Sequence, residues 1–236
     1  MLKAKARSWV LALCALGVPS IAVAQETRES FGSSGQLVVG AERLFGLVVA
    51  SSTLEANNGG ESTVTFTSFT LLANPTNGLI SNYSFPRVGV DYLVTDGVSI
   101  GAAIGMFTLS GSFEAEGQAD QDLETTTAFL FAPRVGYAHM FNPTLGIWPR
   151  GGVSIVASTT SGDGDETSSN QLAVTLEAPL VISPVSHVAF SVGPTIDIGV
   201  SGGNETETQV GGVKISVEND ETGIDWGLMA GLLVYL

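Results

Sequence analysis

The chain has 236 residues, of which 44% are hydrophobic, only 14% are charged and 29 are glycine, and its formal net charge is −14. Such hydrophobicity excludes a disordered chain, and the acidity excludes a protein that tracks nucleic-acid phosphates. No apolar run is long enough for a transmembrane helix, yet the charged fraction is about half the ~25% usual for soluble domains.

In chain order, residues 1–24 read as a secretory signal. Lys3, Lys5 and Arg7 precede the apolar run Trp9 to Val18, and Ala22-Val23-Ala24 supplies small residues for cleavage. Cys14 lies inside that run behind Leu13, which argues against a lipid-attachment site. Cleavage after Ala24 leaves six basic residues against 23 acidic ones, a net charge of −17, and no cysteine. Residues 25–35 form a short segment ahead of the first strand.

From there the pattern has period two. Eight segments alternate, at about 36–50, 84–94, 98–112, 125–141, 144–159, 170–183, 187–200 and 223–236. Thr95-Asp96-Gly97, Asn142-Pro143 and Ser183 to Ser186 make tight turns. About 51–83, 113–124, 160–169 and 201–222 are expected to be long polar loops. Short turns at one end and long connections at the other describe an up-and-down meander, with both chain ends on the short-turn side. Residues 62–72 resemble a ninth strand, expected to extend the first hairpin above the main sheet.

The charged strand residues decide which face is inside. Arg87, Asp91, Arg134, Arg150, Glu177, Asp197 and Asp225 share faces with glycine, alanine and serine, opposite large apolar residues such as Val88, Phe131, Ile155, Leu176 and Trp226. In a soluble barrel the large face would fill an interior that eight strands make only just wide enough for side chains. In a membrane barrel the small, mixed-charge face lines the lumen, and backbone pairing in lipid requires closure. The pattern therefore favours an eight-stranded antiparallel up-and-down transmembrane β-barrel over a soluble barrel or sandwich. The inward charges are expected to pair, since an unpaired buried charge is costly. Glu42-Arg43 breaks the alternation. With Glu42 inside, either Arg43 snorkels toward the interface or a bulge turns both inward.

This pattern, across 36–236, resembles the small outer-membrane β-barrel family of Gram-negative bacteria, similar in architecture to the OmpA transmembrane domain and OmpX. The C-terminus Gly231-Leu-Leu-Val234-Tyr-Leu236 is similar to the family's assembly signal of alternating apolar residues, although the family usually closes on an aromatic. The resemblance implies a monomer in outer-membrane lipid, placed by the barrel-assembly machinery, with 25–35 in the periplasm and long hairpins outside. Pro86-Arg87, Pro133-Arg134 and Pro149-Arg150 echo one another. Proline removes a ladder donor, so local kinks seating the arginines are the first reading and an arginine-lined anion site the second.

Motifs for catalysis are missing: there is no HExxH, GxSxG, P-loop or CxxC. His139 and His187 both fall near short turns. The acidic stretch Asp163-Gly-Asp165-Glu166 has oxygen ligands for a hard cation but not EF-hand spacing, and a solvated face that limits aggregation is the preferred reading. The expected function is structural or surface-interacting, without catalysis, cofactor or metal. A narrow pore is the alternative, and a surface enzyme or cation-binding barrel the remaining one. Any extracellular ligand is left unnamed by the sequence, and nucleic acid is not a partner.

Overall fold

The computed structural model describes residues 30–56, 61–71, 86–113, 121–162, 165–210 and 213–236. Its strands are β1 (Leu37–Ala56), β2 (Glu61–Leu71), β3 (Arg87–Leu93), β4 (Val98–Phe113), β5 (Gln121–Tyr137), β6 (His139–Met140), β7 (Leu145–Ile147), β8 (Arg150–Gly162), β9 (Asp165–Glu177), β10 (Leu180–Val185), β11 (Val188–Val210) and β12 (Val213–Tyr235). Antiparallel pairing runs β1-β3-β4-β5-β8-β9-β11-β12 and returns from β12 to β1, closing an eight-stranded barrel. The short strands β6, β7 and β10 continue β5, β8 and β9 across one-residue and two-residue interruptions.

Those interruptions fall at Ala138, Trp148-Pro149 and Ala178-Pro179. Proline cannot donate to a ladder, but its carbonyl still accepts. Tyr137 N donates to Pro149 O, Trp148 N to Pro179 O, and Ala178 N to Pro194 O. The wall thus stays bonded across each break.

The alternation is inverted relative to a soluble protein. Along β3 the buried residues are Arg87, Gly89, Asp91 and Leu93, while Val88, Val90 and Tyr92 are exposed. On β12, Ile224, Trp226, Leu228, Leu232 and Val234 are exposed, as is Leu236 just past its end, and Asp225, Met229 and Tyr235 are buried. The exposed apolar residues form a belt around every barrel strand, and a belt ~25 Å tall is what a bilayer requires. Closure satisfies the backbone groups inside that belt. The belt spans Phe190 to Val200 on β11, which then continues to Val210. At ~3.3 Å per residue, this strand runs far beyond the lipid.

Three expectations change. The stretches 160–169 and 201–222 are largely strand, and 121–124 belong to β5: β8 and β9 pair up to Gly162↔Asp165, and β11 and β12 up to Val210↔Val213. Polarity there marks solvent on both faces, which erases the period-two signal without breaking the ladder. Second, β2 extends the first hairpin as expected but does not lie wholly above the main sheet. β2 pairs the upper part of β1 down to Leu71↔Phe45, and β3 takes the lower part from Glu42↔Arg87. The two therefore share one edge of β1. Third, the strand runs past Ser183 through Pro184 and Val185, so the turn is shorter and later than expected. Val185 pairs Val188 around Ser186-His187, with His187 in the left-handed region at φ 67°.

At Glu42-Arg43 the bulge reading holds. Ala41 pairs Leu232 and Phe45 pairs Ala230, so Glu42, Arg43 and Leu44 lie opposite Gly231 alone. Arg43 adopts φ 54°, and both charged side chains are buried. The sign of the exterior can be tested by refolding into lipid vesicles against urea. Leu228→Arg, mid-belt, is expected to cost about 2–4 kcal/mol, whereas Thr222→Arg, at the polar edge, costs about 0–1 kcal/mol.

Candidate functional site

The barrel lumen is filled in layers. At the short-turn end lies an apolar cluster of Phe31, Val38, Leu93, Ala138, Trp148, Val181, Ala189, Leu233 and Tyr235. Phe31 packs edge-on against Trp148 and Tyr235, with ring centroids 5.2 and 5.4 Å away. The polar tips of those rings are satisfied: Trp148 Nε1 donates to Ser99 Oγ at 3.0 Å, and Tyr235 Oη meets Ser183 Oγ at 2.8 Å.

Above this cluster is the ionic layer. Glu42 receives three arginines. Arg134 Nη1 and Nη2 reach its two carboxylate oxygens at 2.6 and 2.8 Å, Arg87 Nε approaches at 3.3 Å, and Arg150 Nη1 also donates to it. Glu177 takes Arg43 Nη2 at 2.9 Å, Arg150 Nη2 at 2.7 Å, and Arg87. Asp91 closes one end of the chain on Arg134, and Asp197 closes the other on Arg43 at 2.9 Å. The order is Asp91–Arg134–Glu42–(Arg87, Arg150)–Glu177–Arg43–Asp197. It draws side chains from β1, β3, β5, β8, β9 and β11. The Thr175 hydroxyl donates to Asp197, and the Thr195 hydroxyl accepts from Arg43. Arg150 also lies over the Trp148 ring, 4.5 Å from its centroid, a cation–π contact tying this layer to the one below.

Small residues make room for these groups. A Cβ on Gly89 would stand 2.8 Å from Glu42 Oε1 and closer still to Arg134 Nη2. The space beside the network is correspondingly slight. Cavities lined by Arg87, Arg134, Arg150 and Glu177, and by Glu42, Arg43 and Thr195, measure about 10 and 20 Å³. That is the scale of a single water.

A third layer is apolar again: Ala103, Leu130, Ala132, Val156 and Ala173 with Phe107, and beside them Val48, Ala50 and Met229. Higher still, Glu221 accepts from Gln171 at 2.7 Å and Asn204 at 3.1 Å.

Of the lumen residues singled out in the sequence, the structure brings Arg87, Asp91, Arg134, Arg150, Glu177 and Asp197 together. Asp225 is buried opposite Asp197 across β11 and β12, and among the described residues it forms no ion pair. Glu42 and Arg43, absent from that set, are central. Their adjacency broke the alternation, and that irregularity was the available signal. His139 stacks edge-on beside Phe141 at 5.5 Å on the outer face. His187 holds Tyr235 O at 2.9 Å through Nδ1. Asp163 lies outside the described residues, and among the described residues no cluster of His, Cys, Asp or Glu is placed to hold a metal. Gly231 faces inward, while Val234 and Leu236 face out.

No protein-family model and no curated protein matches the chain. Solved structures do. The crystal structure of the outer membrane protein OprG from Pseudomonas aeruginosa aligns with TM-score 0.54 at 11% identity, covering 86% of this chain and 97% of that one. The solid-state NMR structure of outer membrane protein AlkL in DMPC lipid bilayers aligns with TM-score 0.51 at 12% identity, covering 92% and 97%. The outer membrane protease OmpT from Escherichia coli aligns with TM-score 0.44 at 7% identity, covering 90% and 100%. The fold is that of the small outer-membrane barrels.

Removing the carboxylate at the centre tests the ionic layer. Glu42→Gln leaves three arginines short of a counter-charge and is expected to cost about 3–5 kcal/mol, read as a lower urea midpoint for unfolding from micelles. Asp225→Asn, outside the ion pairs, should change the midpoint far less.

Proposed function

We propose that this chain is a non-conducting, non-catalytic monomeric barrel of the Gram-negative outer membrane, whose working part is the strand-built wall projecting beyond the lipid. The filled lumen carries the reading. Two apolar layers enclose a paired ionic layer, and the spaces beside the charges suit single waters. An eight-stranded lumen packed in this way acts as a core.

The projecting wall is acidic and rich in hydroxyls. Thr126 meets Thr160 at 2.9 Å, Thr167 meets Thr206 at 3.1 Å, and Ser216 donates to Glu205 at 2.8 Å. Such a surface is soluble, repels anionic neighbours, and presents a rigid edge to an extracellular partner. Leu232, Val234 and Leu236 on one outward face support delivery by the barrel-assembly machinery. Neither histidine stands on the projecting side, which supports a role without catalysis.

Two measurements test the proposal. Purified protein in planar bilayers is expected to give no conductance steps, and reproducible steps would overturn the reading. Orientation can be read with trypsin, because basic residues after position 24 are only Arg28, Arg43, Arg87, Arg134, Arg150 and Lys214. Four of these are sealed in the lumen, and Lys214 pairs Gln209 near the tip of the β11–β12 hairpin. Intact cells should be cut at Lys214 alone, with Arg28 cut only once the outer membrane is opened. The reverse order would invert the proposed orientation.

A further inference from the structure

The segment Ser30–Gln36 precedes the barrel but is folded into its short-turn mouth. Gln36 ties it into a compact turn: its Oε1 accepts from Gly32 N at 2.9 Å and Ser33 N at 3.1 Å, and its Nε2 donates to Ser30 O at 3.0 Å. Gly32 and Gly35 adopt φ 98° and 87°, which side chains rarely tolerate. The turn is pinned to the β3–β4 connection through Gly97 N to Gly32 O at 2.8 Å and Ser34 N to Asp96 Oδ1 at 2.9 Å. Its one large apolar side chain, Phe31, is 1% exposed.

The partners of Phe31 come from distant parts of the chain. Trp148 lies between β7 and β8, and Tyr235 ends β12, whose neighbour Leu236 exchanges backbone hydrogen bonds with Leu37 at 2.9 Å. Phe31 leads into β1 and Tyr235 ends β12, so the segment reaches both rings only when the last strand has paired with the first. A segment docked on both is therefore sensitive to closure.

We propose that Ser30–Gln36 is a latch. It docks only on a closed barrel, and once docked it stoppers the short-turn mouth with Phe31 and holds the β1–β12 seam. This is separate from the non-conducting lumen above, because the ionic layer and the upper apolar layer, neither of which contains Phe31, seal that path with or without the latch.

Trp148 is the natural reporter, since it lies directly beneath the stopper. The chain has three tryptophans; Trp9 precedes Gln25 and Trp226 is on the exposed outer face. In the refolded chain from Gln25 onward carrying Trp226→Phe, Trp148 is the sole tryptophan and is read by tryptophan-selective excitation. Acrylamide should quench it weakly. Phe31→Ala should raise the quenching constant several-fold and speed unfolding in urea, while circular dichroism stays that of a folded barrel. Phe31→Leu should restore most of the shielding. Should Phe31→Ala not refold, Gln36→Ala loosens the turn and leaves every mouth ring in place, and the same rise in quenching is expected. Unchanged quenching and unfolding rate in a folded variant would overturn the latch. So would faster unfolding with Trp148 still shielded, since that describes a structural contact without a stopper.

Discussion

Counter-charge confinement governs this barrel. Four arginines point into a lumen bounded outside by lipid and above and below by apolar side chains, so each must find its carboxylate within one layer. Glu42 and Glu177 meet that need by accepting three arginines each, and Arg87 and Arg150 join them. Because the contributing strands surround the lumen, a strand paired in the wrong register would bring its charge to the wrong height. The network therefore selects register as well as contributing stability. One-residue slips, which exchange the two faces of a strand, would also drive an arginine or aspartate into lipid.

The layers are mutually dependent. Trp148 joins the mouth cluster to Arg150 from below, and Ala132, one inward position above Arg134 on β5, belongs to the upper apolar cluster. Water is thus excluded from both sides of the charges, which strengthens their attraction and raises the cost of breaking any one pair. The bulge in β1 serves this arrangement. Without it, Arg43 would face lipid beside Phe45 and Leu47; with it, Arg43 reaches Asp197 and Glu177. The strain of a non-glycine residue at positive φ, of order 1–3 kcal/mol, is offset by those buried contacts.

Legibility in the sequence followed the environment of each segment. Within the belt the two faces meet different media, so alternation is sharp and the eight strands, their sidedness and six of the paired lumen charges could be read directly. Above the belt both faces meet water. Thr159, Ser168 and Asn204 then look like loop residues although their backbones pair throughout. β2 folds back on β1 through a local hairpin; what no local pattern encodes is that β3, from beyond residue 86, takes the lower stretch of the same β1 edge. Phe31 carried no signal because a single aromatic ahead of a strand is not periodic; only Gly32 and Gly35, bracketing two serines, hinted at a turn.

The filled lumen also bears on how such a chain can diversify. Barrel girth grows with strand number, and a wider descendant would draw Glu42 and Glu177 away from the arginines they share. A duplicated hairpin inserted anywhere in the circuit would have to bring new counter-charges at the same height and new bulk for both apolar layers at once. Lengthening or replacing the tips of the β8–β9 and β11–β12 hairpins disturbs none of these. The packed interior thus ties this barrel to eight strands, while the outer ends of its hairpins carry no such constraint.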